Sequence, residues 1–132
     1  LCAGFGAAAM LASERLEVDA EHVCRLWDHA VELFADWTIN GSIEQRYKGN
    51  LNIRREGLDV GRLMSECRDV LFSAGSACAS GSGRPSHVLR AIGLADAQAK
   101  SSIRLGFGRY TTLEEIERAA TSINAAAERQ LA

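Results

Sequence analysis

Apolar residues recur at near-helical spacing through Val23, Leu26, Ala30, Leu33 and Trp37, and again through Leu113, Ile116, Ala120, Ile123 and Ala127. Each series draws a stripe along one side of a helix, and such a stripe is stable only when covered. Between them the period changes to two. Asn50-Leu51-Asn52-Ile53 alternates, as does Ser102 to Phe107, and Thr38-Ile39-Asn40 is a shorter strand candidate. The strands are too few and their connections too mixed for a doubly wound parallel sheet. The pattern predicts an α/β chain of the α+β layer kind, with a short, mostly antiparallel sheet covered by helices on one face.

Local signals refine the elements. Phe5 to Leu16 is Ala-rich and predicts a first helix. Asp19 is an N-cap candidate, with Val18 and Val23 as a hydrophobic staple, so a second helix is expected to start there. His22 and His29 lie on or beside it, and no carboxylate or Cys recurs nearby at ligand spacing. Gly41 and Lys48-Gly49 supply breaks. Asp59 is expected to cap a short helix burying Leu63, Met64 and Cys67, and Val70-Leu71-Phe72 reads as a buried strand. Pro85 opens a helix from Ser86 to Ile92 that Gly93 closes. Thr112 and Glu115 form a capping box ahead of the last helix.

Composition excludes several roles. The 132 residues carry a formal net charge of -2, and without clustered positive charge nucleic acid is not an expected partner. No apolar run approaches the roughly 20 residues of a membrane span, so no membrane role is expected either. Cys2, Cys24, Cys67 and Cys78 are widely and irregularly spaced without a C-x-x-C pair, which argues against a metal site and for free thiols in a reducing, cytoplasmic setting. The start, Leu1-Cys2-Ala3-Gly4-Phe5-Gly6, has neither an initiator Met nor a basic leader and reads as a cut into a longer chain.

One segment stands apart. Ser73 to Gly83 consists of Ser, Ala and Gly around the single Cys78. Small side chains bury little area to offset the entropy of ordering a backbone, so a mobile loop at about 74–83 is expected. A Cys in such a loop is placed to swing, and a swinging thiol suits one sulfur that must visit two places. The residues alone also admit a phosphate-binding nest or an inert connector.

Ser73-Ala74-Gly75-Ser76-Ala77-Cys78-Ala79-Ser80, followed by Pro85-Ser86-His87-Val88-Leu89-Arg90-Ala91-Ile92-Gly93, resembles the active-site loop of the cysteine desulfurases, in the long-loop group that serves iron–sulfur cluster and nitrogenase maturation. Ser101 to Thr112 with Glu114-Glu115-Ile116 is similar to the family's next segment, Gly49-Asn50-Leu51-Asn52-Ile53 to an upstream strand, and Gly4-Phe5-Gly6-Ala7-Ala8-Ala9 to the helix leading out of the large domain. The resemblance implies the small C-terminal domain of a fold-type I pyridoxal-phosphate transferase. Residues 1–16 would form the helix that leaves a large domain absent from this chain, and residues 17–132 the small domain.

In that family the loop thiolate takes sulfur from L-cysteine held on pyridoxal 5'-phosphate, releasing L-alanine and leaving an enzyme persulfide for an acceptor or iron–sulfur scaffold protein. The complete enzyme is expected to be a homodimer. Cys78 falls on the loop nucleophile and Arg104 on the arginine that binds the substrate carboxylate, a task suited to a guanidinium fork. Arg109 lies in a matching segment and is expected to be structural, while Arg84 and His87 take no assigned role. The sequence departs from the family at Arg54-Arg55, where an uncharged residue and then an aromatic or apolar one are usual. Lys48 and Lys100 are the only lysines, and neither stands in the Ser-x-His-Lys context that holds the cofactor, so this chain is expected to lack the cofactor lysine and to be inactive alone. Rival readings are a non-catalytic sulfur carrier or interaction module, a selenocysteine lyase on the same scaffold, and a fragment without activity.

Overall fold

The fold is that of a computed structural model, which describes residues 2–75 and 86–132. Helix α1 spans Cys2–Leu33 without a break. The expected boundary at Asp19 is absent. Ser13 to Glu21 holds no Gly or Pro, and Leu, Glu, Arg and Ala are good helix formers, so nothing stops the first helix from running on. Asp19 is not a cap. Its carboxylate meets Arg15 one turn earlier, at 3.4 Å, and Arg109 far along the chain. The two halves of α1 differ sharply. Val23, Leu26, Trp27 and Ala30 are buried, whereas the first half is exposed, Phe5 by 79%.

The strands are β1 (Thr38–Ile39), β2 (Asn50–Arg54), β3 (Ser73–Ala74) and β4 (Ser102–Gly106), ordered β1-β2-β4-β3 and antiparallel throughout. Register puts Ile39, Ile53, Ile103 and Ala74 in one row across the sheet. Together with Leu51 and Leu105 these side chains make the core face. It packs on Leu26 and Trp27 of α1, on Leu63 of α2 (Val60–Glu66), and on Ile116, Ala120 and Ile123 of α5 (Leu113–Leu131). Asp59 caps α2 by accepting from the Arg62 N–H at 3.0 Å, and Thr112 with Glu115 closes a capping box on α5, both as the sequence predicts. Trp37 stacks edge-on against Phe34 and donates to Asn124 of α5 at 2.8 Å, while the Asn124 amide donates to the Leu33 carbonyl at 2.9 Å. These bonds tie the end of α1 to α5.

Two further expectations are corrected. Met64 is 40% exposed because α2 is short and turns only Val60 and Leu63 inward. Val70-Leu71-Phe72 is not a strand. Val70 and Phe72 lean on the core, but Leu71 is 98% exposed. The pairing falls instead on Ser73 and Ala74. At Gly75 the reason for small residues is visible, since a Cβ there would meet Leu89 at 2.8 Å and Ser102 at 3.3 Å. A further short helix, α4 (Asp96–Lys100), follows α3 (His87–Ala91) and was not expected. Ser86 caps α3 by accepting from the Leu89 N–H.

Candidate functional site

Alternation along each strand decides what faces away from the core. Opposite residues of antiparallel strands project to the same side, with Cβ atoms about 4.5–5.5 Å apart. Ser73 stands opposite Arg104, and Arg104 opposite Asn52. Asn40, one residue beyond β1, extends the row by donating its backbone N–H to the Asn52 carbonyl at 2.9 Å. Asn40, Asn52, Arg104 and Ser73 therefore cross the sheet side by side. The adjacent row holds Thr38, Arg54 and Ser102, and Gly75 joins it by donating to the Ser102 carbonyl at 2.9 Å.

The second row is covered at Ser102 and open at Thr38. Ser102 is fully buried, and its hydroxyl donates to the Gln98 carbonyl of α4 at 2.7 Å. In the first row Asn40 is buried, while Asn52, Arg104 and Ser73 are half-buried. A continuous network runs beneath. Arg54 donates to the side-chain oxygen of Asn40, and the Asn40 amide donates to Asn52 Oδ1 at 2.7 Å and Ser102 Oγ at 3.0 Å. The guanidinium of Arg104 has no ion pair or hydrogen bond among the described residues. A half-buried arginine without a carboxylate, projecting from an inner strand, has donors left for an anion.

Cys78, Arg84 and the middle of the small-residue segment lie outside the described residues. Ser73, from which that segment departs, is Arg104's direct neighbour in the sheet. His87 is exposed at the start of α3. Arg109 is tied to Asp19, and beside it His22 Nε2 bonds the Thr111 carbonyl at 2.8 Å, so this turn is fastened to α1. His29 bonds Glu117 at 2.9 Å. Cys67 is buried with its thiol 3.6 Å from the Ser122 carbonyl, Cys24 is half-buried and Cys2 exposed. Burial in the core keeps the Cys67 thiol away from solvent and from any substrate.

The described residues do not fit a covalent cofactor site. Lys48 pairs with Asp28 at 3.5 Å and Lys100 is exposed at the end of α4; neither belongs to the two rows. Among the described residues no group of three His, Cys, Asp or Glu side chains could hold a metal, and no helix is long and apolar enough to cross a membrane. Burial lowers the Arg46 pKa, and this guanidinium stacks over Trp27 at 4.3 Å. Hydrogen bonding from Arg62, then from Arg129, holds the Glu66 carboxyl below its ordinary value. Glu66 lies outside the two rows, while Arg46 reaches the edge of the first by donating to the Asn40 carbonyl at 3.4 Å.

Sequence reasoning reached Arg104 but missed the Asn40–Asn52–Ser102 network. The alternation of Asn50-Leu51-Asn52-Ile53 already set Asn52 on the non-core face; the register that brings Asn40 beside it was not readable.

Relatives bear on this geometry. Cysteine desulfurase IscS of Shewanella woodyi is 44% identical over 125 residues, covering 92% of this chain and 31% of that protein. Cysteine desulfurase IscS of Rickettsia typhi is 41% identical over 127 residues, with 93% and 31% covered. The chain thus spans about a third of the length of these curated relatives. A NifS-like protein from Rickettsia africae superposes with a TM-score of 0.83 at 21% identity, over 96% of this chain and 34% of that one. A second NifS-like structure gives 0.70 at 22%, over 90% and 30%. At those identities the likeness shows the fold, which is therefore that of part of a NifS-like protein. No family model matches.

Proposed function

We propose that this chain, which resembles the cysteine desulfurases over nine-tenths of its length and matches part of them only, supplies the sulfur-accepting thiol and the substrate-carboxylate site of such an enzyme. The observation that carries the reading is Arg104. It is half-buried, without a partner among the described residues, on the polar face of the sheet, and directly opposite the residue from which the Cys78 segment departs. Cys78 is five residues beyond Ser73, and five residues of chain span at most about 18 Å. The tether alone keeps Cys78 within that reach of Ser73, Arg104's neighbour in the sheet.

The division of labour follows. The Arg104 fork holds the carboxylate of L-cysteine by two parallel hydrogen bonds and so fixes the amino acid's orientation. The Cys78 thiolate attacks the substrate sulfur; an S–S bond forms, the substrate's Cβ–S bond breaks, and its electron pair goes to carbon, which takes a proton to give L-alanine. Pyridoxal 5'-phosphate, when bound, stabilises charge at that carbon. Its lysine is assigned to the rest of the protein, because Lys48 and Lys100 stand outside the rows. Residues 1–16 are the start of the connection to that remainder, and exposed Phe5, Met10, Leu11 and Leu16 support their being covered there. The persulfide then passes to an acceptor or iron–sulfur scaffold protein, in the cytoplasm, from a homodimeric enzyme.

The test uses the complete protein. L-cysteine should place a persulfide on Cys78, found by alkylation and peptide mass analysis, and Cys78→Ala should abolish L-alanine release while cofactor absorbance persists. Label on Cys24 or Cys67 with none on Cys78 overturns the reading.

A further inference from the structure

The hydrogen-bond network beneath Arg104 has a direction. An arginine can only donate, so Arg54 must meet the oxygen of the Asn40 amide. The Asn40 nitrogen is thereby turned to the opposite side, where it donates to Asn52 Oδ1 and Ser102 Oγ. Asn52 must then present its oxygen to Asn40. Its own NH2 group is then left on the other side of the amide from that bond, and the strand paired with β2 across from β1 is β4, where Arg104 stands opposite Asn52. Among the described residues that NH2 group has no acceptor. The outcome is a chain of forced amide orientations that starts at a cation and ends at a donor which, like the Arg104 guanidinium opposite, has no partner among the described residues.

We propose that Asn52 is a second binding residue for the carboxylate that Arg104 takes, and that Arg54 and Asn40 are positioning residues which turn its amide that way. The inference rests on the carboxylate site just assigned to Arg104 and adds its other side. A carboxylate offers about four lone-pair sites, so a fork on one edge leaves acceptor capacity for an amide from the neighbouring strand. The spacing suits it, because side chains opposite each other in an antiparallel pair stand about 4.5–5.5 Å apart at Cβ, the width one carboxylate bridges. Arg54 also gains a reason. Its position is one where the sequence departs from the uncharged residue usual in cysteine desulfurases, and here it sets the polarity of the network by donating to the Asn40 oxygen.

The experiment titrates the complete, cofactor-loaded enzyme with two probes, L-alanine and ethylamine, following cofactor absorbance. Both carry an amine and only one carries a carboxylate. Asn52→Ala should weaken L-alanine about tenfold or more, as expected for a lost hydrogen bond to a charged group, and leave ethylamine within about twofold. Asn52→Asp should weaken L-alanine further by setting two carboxylates together. Arg54→Gln, which can offer Asn40 an oxygen as readily as an NH2, should lower the ratio of L-alanine to ethylamine affinity in the same direction by less; a merely structural Arg54 would move both ligands together. With L-cysteine, Asn52→Ala should raise KM while kcat changes by less than about threefold. Unchanged L-alanine binding in Asn52→Ala, alongside its loss in Arg104→Gln, overturns the role of Asn52 and leaves the Arg104 site standing. Unchanged L-alanine binding in Arg104→Gln overturns both.

Discussion

The two faces of the sheet are built from the same strands and answer to different demands. On one, Ile39, Leu51, Ile53, Ile103 and Leu105 are pressed against three helices, and several are fully buried. On the other, Asn52, Arg104 and Ser73 are half-buried, with an arginine left unpaired among the described residues. Antiparallel sheets tolerate a wet face, so polarity alone needs no function. An ordered polar network beside a guanidinium that has no partner among the described residues is different, because donors stand together there without being satisfied. The lesson is that the apolar face carries stability and the polar face carries binding, and each can be altered with little effect on the other.

The largest effect should come from the core face. Ile53→Ala removes a fully buried side chain from the central row and should cost about 2–5 kcal/mol in chemical denaturation. A loss near zero would break the comparison, since the face would then not be load-carrying in the energetic sense. Next is Arg104→Lys in the complete enzyme. It keeps the charge and loses the fork, which should lower kcat/KM for L-cysteine by about 1.5–3 kcal/mol while the melting temperature stays within a few degrees. Equal losses of stability and turnover would show that Arg104 belongs to the scaffold.

A smaller effect tests where the apolar run at Val70 to Phe72 stands. Leu71 is almost wholly exposed, so Leu71→Ser should change stability by no more than about 0.5 kcal/mol in the same denaturation series. Loss of several kcal/mol would mean that another surface covers it. The smallest concerns acid. The carboxyl of Glu66 is held below its ordinary value by Arg62 and Arg129, so its contribution is present above its unfolded pKa and is lost as pH falls through the lower folded value. Because the group is exposed, the effect is screened. Glu66→Gln should flatten stability against pH slightly below about pH 4.5 and nowhere else. A change confined to neutral pH would reverse that sign.

How far the sequence could be read follows the range of the interactions. Capping is local, so Asp59 on α2 and the Thr112–Glu115 box on α5 were legible. Asp19 was misread for the same reason: a carboxylate between two valines looks like a start signal, and the arginine that claims it lies ninety residues away in sequence. Strand β3 was displaced because Ser73 and Ala74 have little strand preference of their own; β4 imposes it through pairing, and Gly75 through close approach to Leu89. Helix α4 is too short to show a period. At the site, Arg104 was reached by resemblance. Asn52 required knowing which residue of β1 stands beside it, and register is a property of the folded sheet.

Helix α1 has a mechanical consequence. It is one rod of 32 residues, pinned near its middle where Asp19 meets Arg109 and His22 meets Thr111, and unsupported by the other described residues ahead of that point. At about 1.5 Å per residue the free arm is about 25 Å long, so a tilt of about 5° at the pin would swing its tip by about 2 Å. The pin sits at the turn that ends β4, the strand of Arg104. A lever with its fulcrum there converts a small settling of the turn into an ångström-scale displacement at Phe5, and a push on Phe5 into torque on the turn.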